Sequence, residues 1–119
     1  MRVPAEAASL RAVRERLRAW LGDARVDGRA AADVVLAVNE ACANAIEHAV
    51  APREPWIDLV AGHRGRSVVV SVGDFGSWRR QRRRDGRGHG LPLMRALMDN
   101  VDVEASPRGT TVRLERRVD

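Results

Sequence analysis

The stretch from Asn39 to Ala49, Asn-Glu-Ala-Cys-Ala-Asn-Ala-Ile-Glu-His-Ala, constrains this chain more than any other. It reads as a helix that packs on one side and stays polar along another. Glu40, Asn44 and His48 stand at i, i+4 and i+8, so they drift only slowly around a helix of 3.6 residues per turn. Val35, Val38, Cys42, Ala45 and Ala49 make an apolar stripe on the other side. An ordinary surface helix places Lys, Arg and Glu pairs on its free face. A carboxylate, a carboxamide and an imidazole in a row are a different inventory.

The rest of the chain supplies what such a helix would pack against. Leu10, Val13, Leu17 and Trp20/Leu21 recur at helical spacing, so residues 5 to about 21 read as a first amphipathic helix, with Pro4 at its entry and Gly22 at its exit. Asp27 and Gly28 open the second helix, which runs to about Val50 and is closed by Pro52 and Pro55. The period then changes from 3.6 to 2. Ile57, Leu59 and Ala61 alternate with Trp56, Asp58 and Val60. After His63-Arg64-Gly65-Arg66, residues Val68, Val70 and Val72 alternate with Ser67, Val69 and Ser71, which is a hairpin signature. Gly88-His89-Gly90 opens a third helix with Leu91, Leu93, Met94, Leu97, Met98 and Val101 on its apolar face. A strand carrying Val101, Val103 and Ala105, a turn at Pro107-Arg108-Gly109 and a last strand with Thr110, Val112 and Leu114 facing inward complete the order. The expected class is α+β: a two-layer sandwich, mostly antiparallel, with the helices on one face of the sheet.

The length of 119 residues fits one domain, 1–119. Aromatic residues are 3% of the chain, so its core must rest on Val, Leu, Ala and Met. Cys42, the only cysteine, lies on the apolar stripe and is expected as a small buried residue in a reducing compartment. Met1-Arg2-Val3-Pro4 leads into a charged helix rather than an apolar run, and no segment approaches ~18 consecutive apolar residues. A soluble, cytoplasmic domain is the expectation. The net charge is +5, and all 21 basic residues are arginine. Six of the eleven residues from Ser77 to Arg87 are Arg, so this segment reads as an exposed basic loop. Arginine suits bidentate contacts to phosphate. A nucleic-acid binder is nevertheless disfavoured, because only Phe75 and Trp78 lie near the Arg79–Arg84 cluster as stacking groups and no recognised motif is present.

Several short patterns carry chemistry, and each alone also has an ordinary reading. The carboxamide oxygen of Asn44 could complete a Mg²⁺ shell without adding charge, and Glu40, one turn earlier, could act as a general base. The same pair could equally be capping or solvated groups. His48 could be an ordinary helix-end histidine. Asp74 follows a strand between Gly73 and Gly76. It could accept the amino hydrogen of an adenine, or simply close a turn. Gly88 and Gly90 precede a helix, where exposed amides can receive an anion. Thr110 after Gly109 could be no more than a strand residue.

Order and joint occurrence decide between these readings. E-x-x-x-N-A-x-x-H on a helix, D-x-G after a strand, G-x-G-L-x-L-M opening a helix and a final G-T-T-V strand occur here in succession. This pattern resembles the ATPase superfamily of gyrase, MutL and the histidine kinases, which has the Bergerat ATP-binding fold. Within it the chain looks most like the anti-sigma-factor serine kinases of the RsbW and SpoIIAB type. The resemblance implies ATP and Mg²⁺ as cofactors, with Asn44 as the Mg²⁺ ligand and Glu40 as the catalytic base. It implies that Asp74 binds the adenine amino group and Gly76 lines the base pocket. Gly88 and Gly90 would approach the phosphates, and Thr110 would support the adenine. It further implies phosphorylation of a serine on an anti-anti-sigma protein of the STAS type, sequestration of a sigma factor, and a homodimer, with no direct contact to nucleic acid or membrane. A domain cut from a longer multidomain regulator is the alternative to a free-standing one.

The chain departs from that family in three places. The family's leading strand before the first helix is nearly absent at residues 1–4, and the lid is short and full of arginine. A second glycine often stands two residues after Gly76, and here that position is Trp78, which keeps a second reading open: a regulatory module that holds ATP without using it and only sequesters a partner. A histidine autokinase is disfavoured, because no upstream helix with a phosphoacceptor histidine is present.

Overall fold

The computed structural model describes residues 1–26, 28–50, 54–78 and 90–118. Its elements are β1 (Arg2–Pro4), α1 (Ser9–Asp23), α2 (Gly28–His48), β2 (Ala49–Val50), β3 (Trp56–Arg64), β4 (Ser67–Asp74), β5 (Ser77–Trp78), α3 (Gly90–Leu97), β6 (Asn100–Ser106) and β7 (Gly109–Arg117). Five strands form one antiparallel sheet in the order β1-β3-β4-β7-β6, and β2 pairs with β5 in a separate two-stranded ladder. The α+β class and the helices on one face of the sheet agree with the sequence reading.

The alternation in the strands sorts the two faces of the sheet. Ile57, Leu59, Val68, Val70, Val72, Val112 and Leu114 turn inward and are buried. Val13, Leu17 and Leu21 of α1, Val34, Val38 and Ala41 of α2, and Met94 of α3 meet them. The outer face carries no helix among the described residues, and Val60 there is 69% exposed. Cys42 is buried on α2, and burial pushes its thiol up to about 12. It therefore stays protonated and packs as a small apolar group.

Four local details differ from the sequence reading. First, residues 2–4 do form a strand, pairing Arg2, Val3 and Pro4 with Asp58, Ile57 and Trp56. Three residues carry too little periodicity to be seen alone; the neighbouring strand holds them. The Arg2 guanidinium adds a bidentate contact to Asp58, with Nε–Oδ1 2.6 Å and Nη2–Oδ2 3.0 Å, and this holds the Asp58 carboxyl below its usual range. Second, α1 does not exit at Gly22. The Arg25 N–H donates to the Gly22 carbonyl (3.0 Å) and the Val26 N–H to the Leu21 carbonyl (2.9 Å), with Arg25 at φ 61°. This is a Schellman closure with an arginine in the left-handed position that glycine usually takes, and Leu21 and Val26 are both buried beside it. Third, Ser77 and Trp78, read as the start of a loop, pair with Val50 and Ala49. The remainder of the arginine-rich segment, Arg79, Arg80, Arg82, Arg83, Arg84 and Arg87, lies outside the described residues.

The fourth difference concerns α2. Its buried surface is wider than one stripe: Val34, Val35, Ala37, Val38, Ala41, Cys42, Asn44 and Ala45 are all buried. The polar row therefore does not oppose the core. Asn44 sits within the packed side of the helix, and Glu40 is half-buried at its margin. This follows from layering: α2 touches α1, α3 and the sheet, so most of its circumference is covered.

Candidate functional site

Two buried polar groups, Asn44 and Asp74, mark the same end of the molecule. Asn44 lies five residues before the start of β2, and Asp74 three residues before the start of β5. The ladder Ala49↔Trp78 and Val50↔Ser77 ties those two segments together. Each polar group is 8% exposed, so each is held by protein rather than by bulk water.

Asn44 is positioned by α2 and by the first residue of α3. A Cβ placed on Gly90 would fall on Nδ2 of Asn44, at 2.8 Å from its Cγ and 2.9 Å from its Oδ1. The backbone of Gly90 thus lies directly against the carboxamide, and no larger residue fits without moving it. The sequence pattern placed both residues in one site; the structure brings them into contact. Glu40 is one helical turn before Asn44 and half-buried. Asn39 is engaged elsewhere. Its Oδ1 accepts from Nη1 of Arg14 at 2.9 Å and links α2 to α1.

Asp74 is positioned by sheet register. It is the last residue of β4, inward-facing, opposite Ile57 of β3 and Thr110 of β7. Its Oδ1 accepts the Gly76 N–H at 2.9 Å, which fixes the turn that follows the strand and places buried Gly76 beside the carboxylate. Thr110 is 1% exposed, and its Oγ1 has no hydrogen-bond partner among the described residues. A buried hydroxyl without a partner is costly, which makes this atom a place where a ligand group would be satisfied.

One residue of this constellation escaped the sequence reading. A Cβ on Gly109 would fall on the carbonyl oxygen of Asp74 and lie 2.9 Å from its carbonyl carbon and 3.0 Å from Cα of Phe75. Gly109 therefore lets β7 press against the backbone of Asp74. From sequence it is only a turn glycine after Pro107-Arg108; its second role needs the register of β7 on β4. Gly73 is the converse case. Its missing Cβ would sit 3.6 Å from Oγ1 of Thr111, an ordinary contact on the outer face. Gly88 lies outside the described residues, and for His48 and Trp78 only the backbone is described.

Chemically, this end of the fold offers a neutral oxygen donor beside a half-buried carboxylate. At the sheet's end it offers a buried carboxylate beside an unsatisfied hydroxyl. Among the described residues no group of three or more His, Cys, Asp or Glu side chains gathers into a metal site. A cation here would rely on few protein ligands, as Mg²⁺ commonly does when phosphates supply the others.

Comparison with known proteins bears on the fold and the family of the chain. Over 99% of the chain, the structure superposes on the RsbU and RsbW domains of Rv1364c from Mycobacterium tuberculosis with a TM-score of 0.81 and 28% identity. The chain spans 32% of that protein's length. A blue-light activated histidine kinase of Erythrobacter litoralis matches 78% of the chain (32% of its own) at TM-score 0.64 and 23% identity. A histidine kinase domain from that protein matches 98% of the chain (62% of its own) at TM-score 0.63 and 19% identity. These two likenesses concern the fold. No helix among the described residues is long and apolar enough to cross a membrane. Residues 3–116 match the histidine kinase-like ATPase domain, and the chain belongs to that family.

Proposed function

We propose that the domain is an ATP-dependent protein serine kinase acting in a partner switch. Its substrate would be a serine of an anti-anti-sigma protein of the STAS type, and its second partner a sigma factor that it sequesters, with the kinase as a homodimer in the cytoplasm. The observation that carries the reading is the pairing of an unsatisfied Thr110 hydroxyl with buried Asp74, in a chain that resembles an RsbW-containing protein over nearly its whole length. A purine edge offers the hydrogen-bonding groups that such a hydroxyl lacks.

The residues fit the roles that a nucleotide would require. Bound Mg-ATP would supply the transferable phosphoryl group and the metal's positive charge. Asn44 would hold the metal through its carboxamide oxygen, fixed in direction by Gly90. Glu40 would take the proton from the attacking serine hydroxyl. Asp74 would accept the adenine amino hydrogen, Gly76 would line the base pocket and Thr110 would complete its polar contacts. Gly88 and Gly90 would lie along the phosphates, the latter at the N-terminal end of α3.

A non-catalytic module that holds ATP and only sequesters a partner is the second reading. The place where a glycine often stands in this family is Trp78, a residue of the β2–β5 ladder. The two readings separate on one comparison: mass spectrometry of STAS-domain proteins incubated with Mg-ATP and either the wild type or Glu40→Ala. Serine phosphorylation that disappears with Glu40→Ala supports the kinase. No phosphorylation by the wild type, or equal phosphorylation by both, rules the kinase out.

A further inference from the structure

The outer face of the sheet contains a group that the site described above does not use. Arg2 of β1 makes its two-point contact with Asp58 there. Its guanidinium carbon also lies 5.6 Å from the ring centroid of Phe75. Phe75 stands between Asp74 and Gly76, the two residues joined by the Oδ1 bond. Asp58 lies opposite Gly73, the residue before Asp74. One arginine thus touches both β3 and the turn that follows β4. A cleft of about 290 Å³ opens beside Phe75, lined by Asp58, Gly73, Asp74, Phe75 and Gly109 among others. The ring therefore has open space to move into, and Arg2 is a contact that restrains it.

We infer that Arg2 is a positioning residue: by clamping Phe75 against Asp58 on the outer face, it sets the direction in which the Asp74 carboxylate points on the inner face. The physical route is short. Asp74 and Phe75 are consecutive, so rotation of the Phe75 backbone changes the path of the Asp74–Gly76 turn. Oδ1 of Asp74 is bonded to the Gly76 N–H, so the carboxylate follows that turn. Bidentate arginine–carboxylate contacts and arginine over an aromatic face are both directional, and lysine reproduces neither fully. The inference rests on the reading of Asp74 as the group that recognises the adenine amino hydrogen. It adds that selectivity for that amino group is adjusted from the opposite side of the sheet.

The test is calorimetric titration of ADP and of inosine diphosphate, which lacks the amino group, into the wild type, Arg2→Ala, Arg2→Lys, Phe75→Leu and the Arg2→Ala/Phe75→Leu double variant. Thermal melts establish that each variant is folded. The wild type should prefer ADP. Arg2→Ala should weaken ADP binding roughly threefold to fivefold while changing inosine diphosphate binding little, the scale of one exposed cation–aromatic contact. Arg2→Lys should fall between, Phe75→Leu should match Arg2→Ala, and the double variant should be no worse than either single one. Equal losses for both nucleotides would reduce Arg2 to a structural role and overturn the inference. So would additive losses in the double variant, or unchanged selectivity in Arg2→Ala. A wild type that binds neither nucleotide would instead overturn the reading of the site itself, and this inference with it.

Discussion

Asn44 and Asp74 are equally buried, yet they are fixed by unlike means. Asn44 is held by a steric neighbour, Gly90, at the start of a separate helix that follows the segment 79–89. Asp74 is held by the sheet: β3 and β7 flank it, Gly109 presses on its carbonyl, and Gly76 bonds its side chain. The first arrangement needs α3 to pack on α2. The second needs the register of three strands. A ladder resists displacement collectively, whereas the first residue of a helix can shift without displacing the rest of it. The backbone of the Asp74 half is therefore the more rigid of the two, although the direction of its carboxylate still follows the Phe75–Gly76 turn beyond the strand.

The largest predicted effect follows from that contrast. Gly109→Ala forces a Cβ onto a backbone carbonyl in the middle of the site, where neither strand can yield. It should cost about 3 kcal/mol of stability, the upper part of the usual range for overpacking, and should abolish nucleotide binding. Denaturant melts and ADP titration measure both; a near-wild-type melt would show that β7 is not pinned against Asp74. Gly90→Ala meets only the end of a side chain. Its cost should be smaller, about 1–2 kcal/mol, but the Asn44 carboxamide must turn, so Mg²⁺-dependent binding should fall more than stability does. If the two variants destabilise equally, the distinction between the halves is lost.

Thr110→Val sharpens the comparison in the opposite direction. It removes a hydroxyl that has no partner among the described residues, so the free protein should become more stable by about 1 kcal/mol while ADP binding weakens. Loss of stability in that variant would mean that the hydroxyl is already satisfied. The smallest effect should come from a position outside both halves. Arg25→Gly relieves a left-handed backbone at the end of α1 and should raise stability by up to about 1 kcal/mol with unchanged nucleotide affinity. Chemical denaturation with parallel titration checks it.

Much of this was legible in the sequence, and what was not has a common cause. The long helices and the four longer strands of the sheet announce themselves by period, because each buries a continuous face. Strand β1 and the β2–β5 ladder do not, because two or three residues have no period and exist only through partners far along the chain. The exit of α1 lies at Arg25 rather than Gly22 for a related reason: the closing bonds form where Leu21 and Val26 can pack, and that burial outweighs the preference for glycine. In the site, Asn44, Asp74, Gly90 and Thr110 could be named from motif order. Gly109 could not, since its contact with Asp74 appears only once the register of β7 on β4 is known. The wide burial of α2, which carries Asn44 into the packed side, likewise depends on where α3 lies.

The most direct test of the account is a calorimetric titration of ATP, with and without Mg²⁺, into the wild type and Asn44→Ala. The wild type should bind ATP more tightly when Mg²⁺ is present, and Asn44→Ala should lose that dependence while keeping the weaker, metal-free binding that the proposed contacts from Asp74 and Thr110 would provide. A wild type that does not bind ATP, or an Asn44→Ala variant with the wild-type Mg²⁺ dependence, would contradict it.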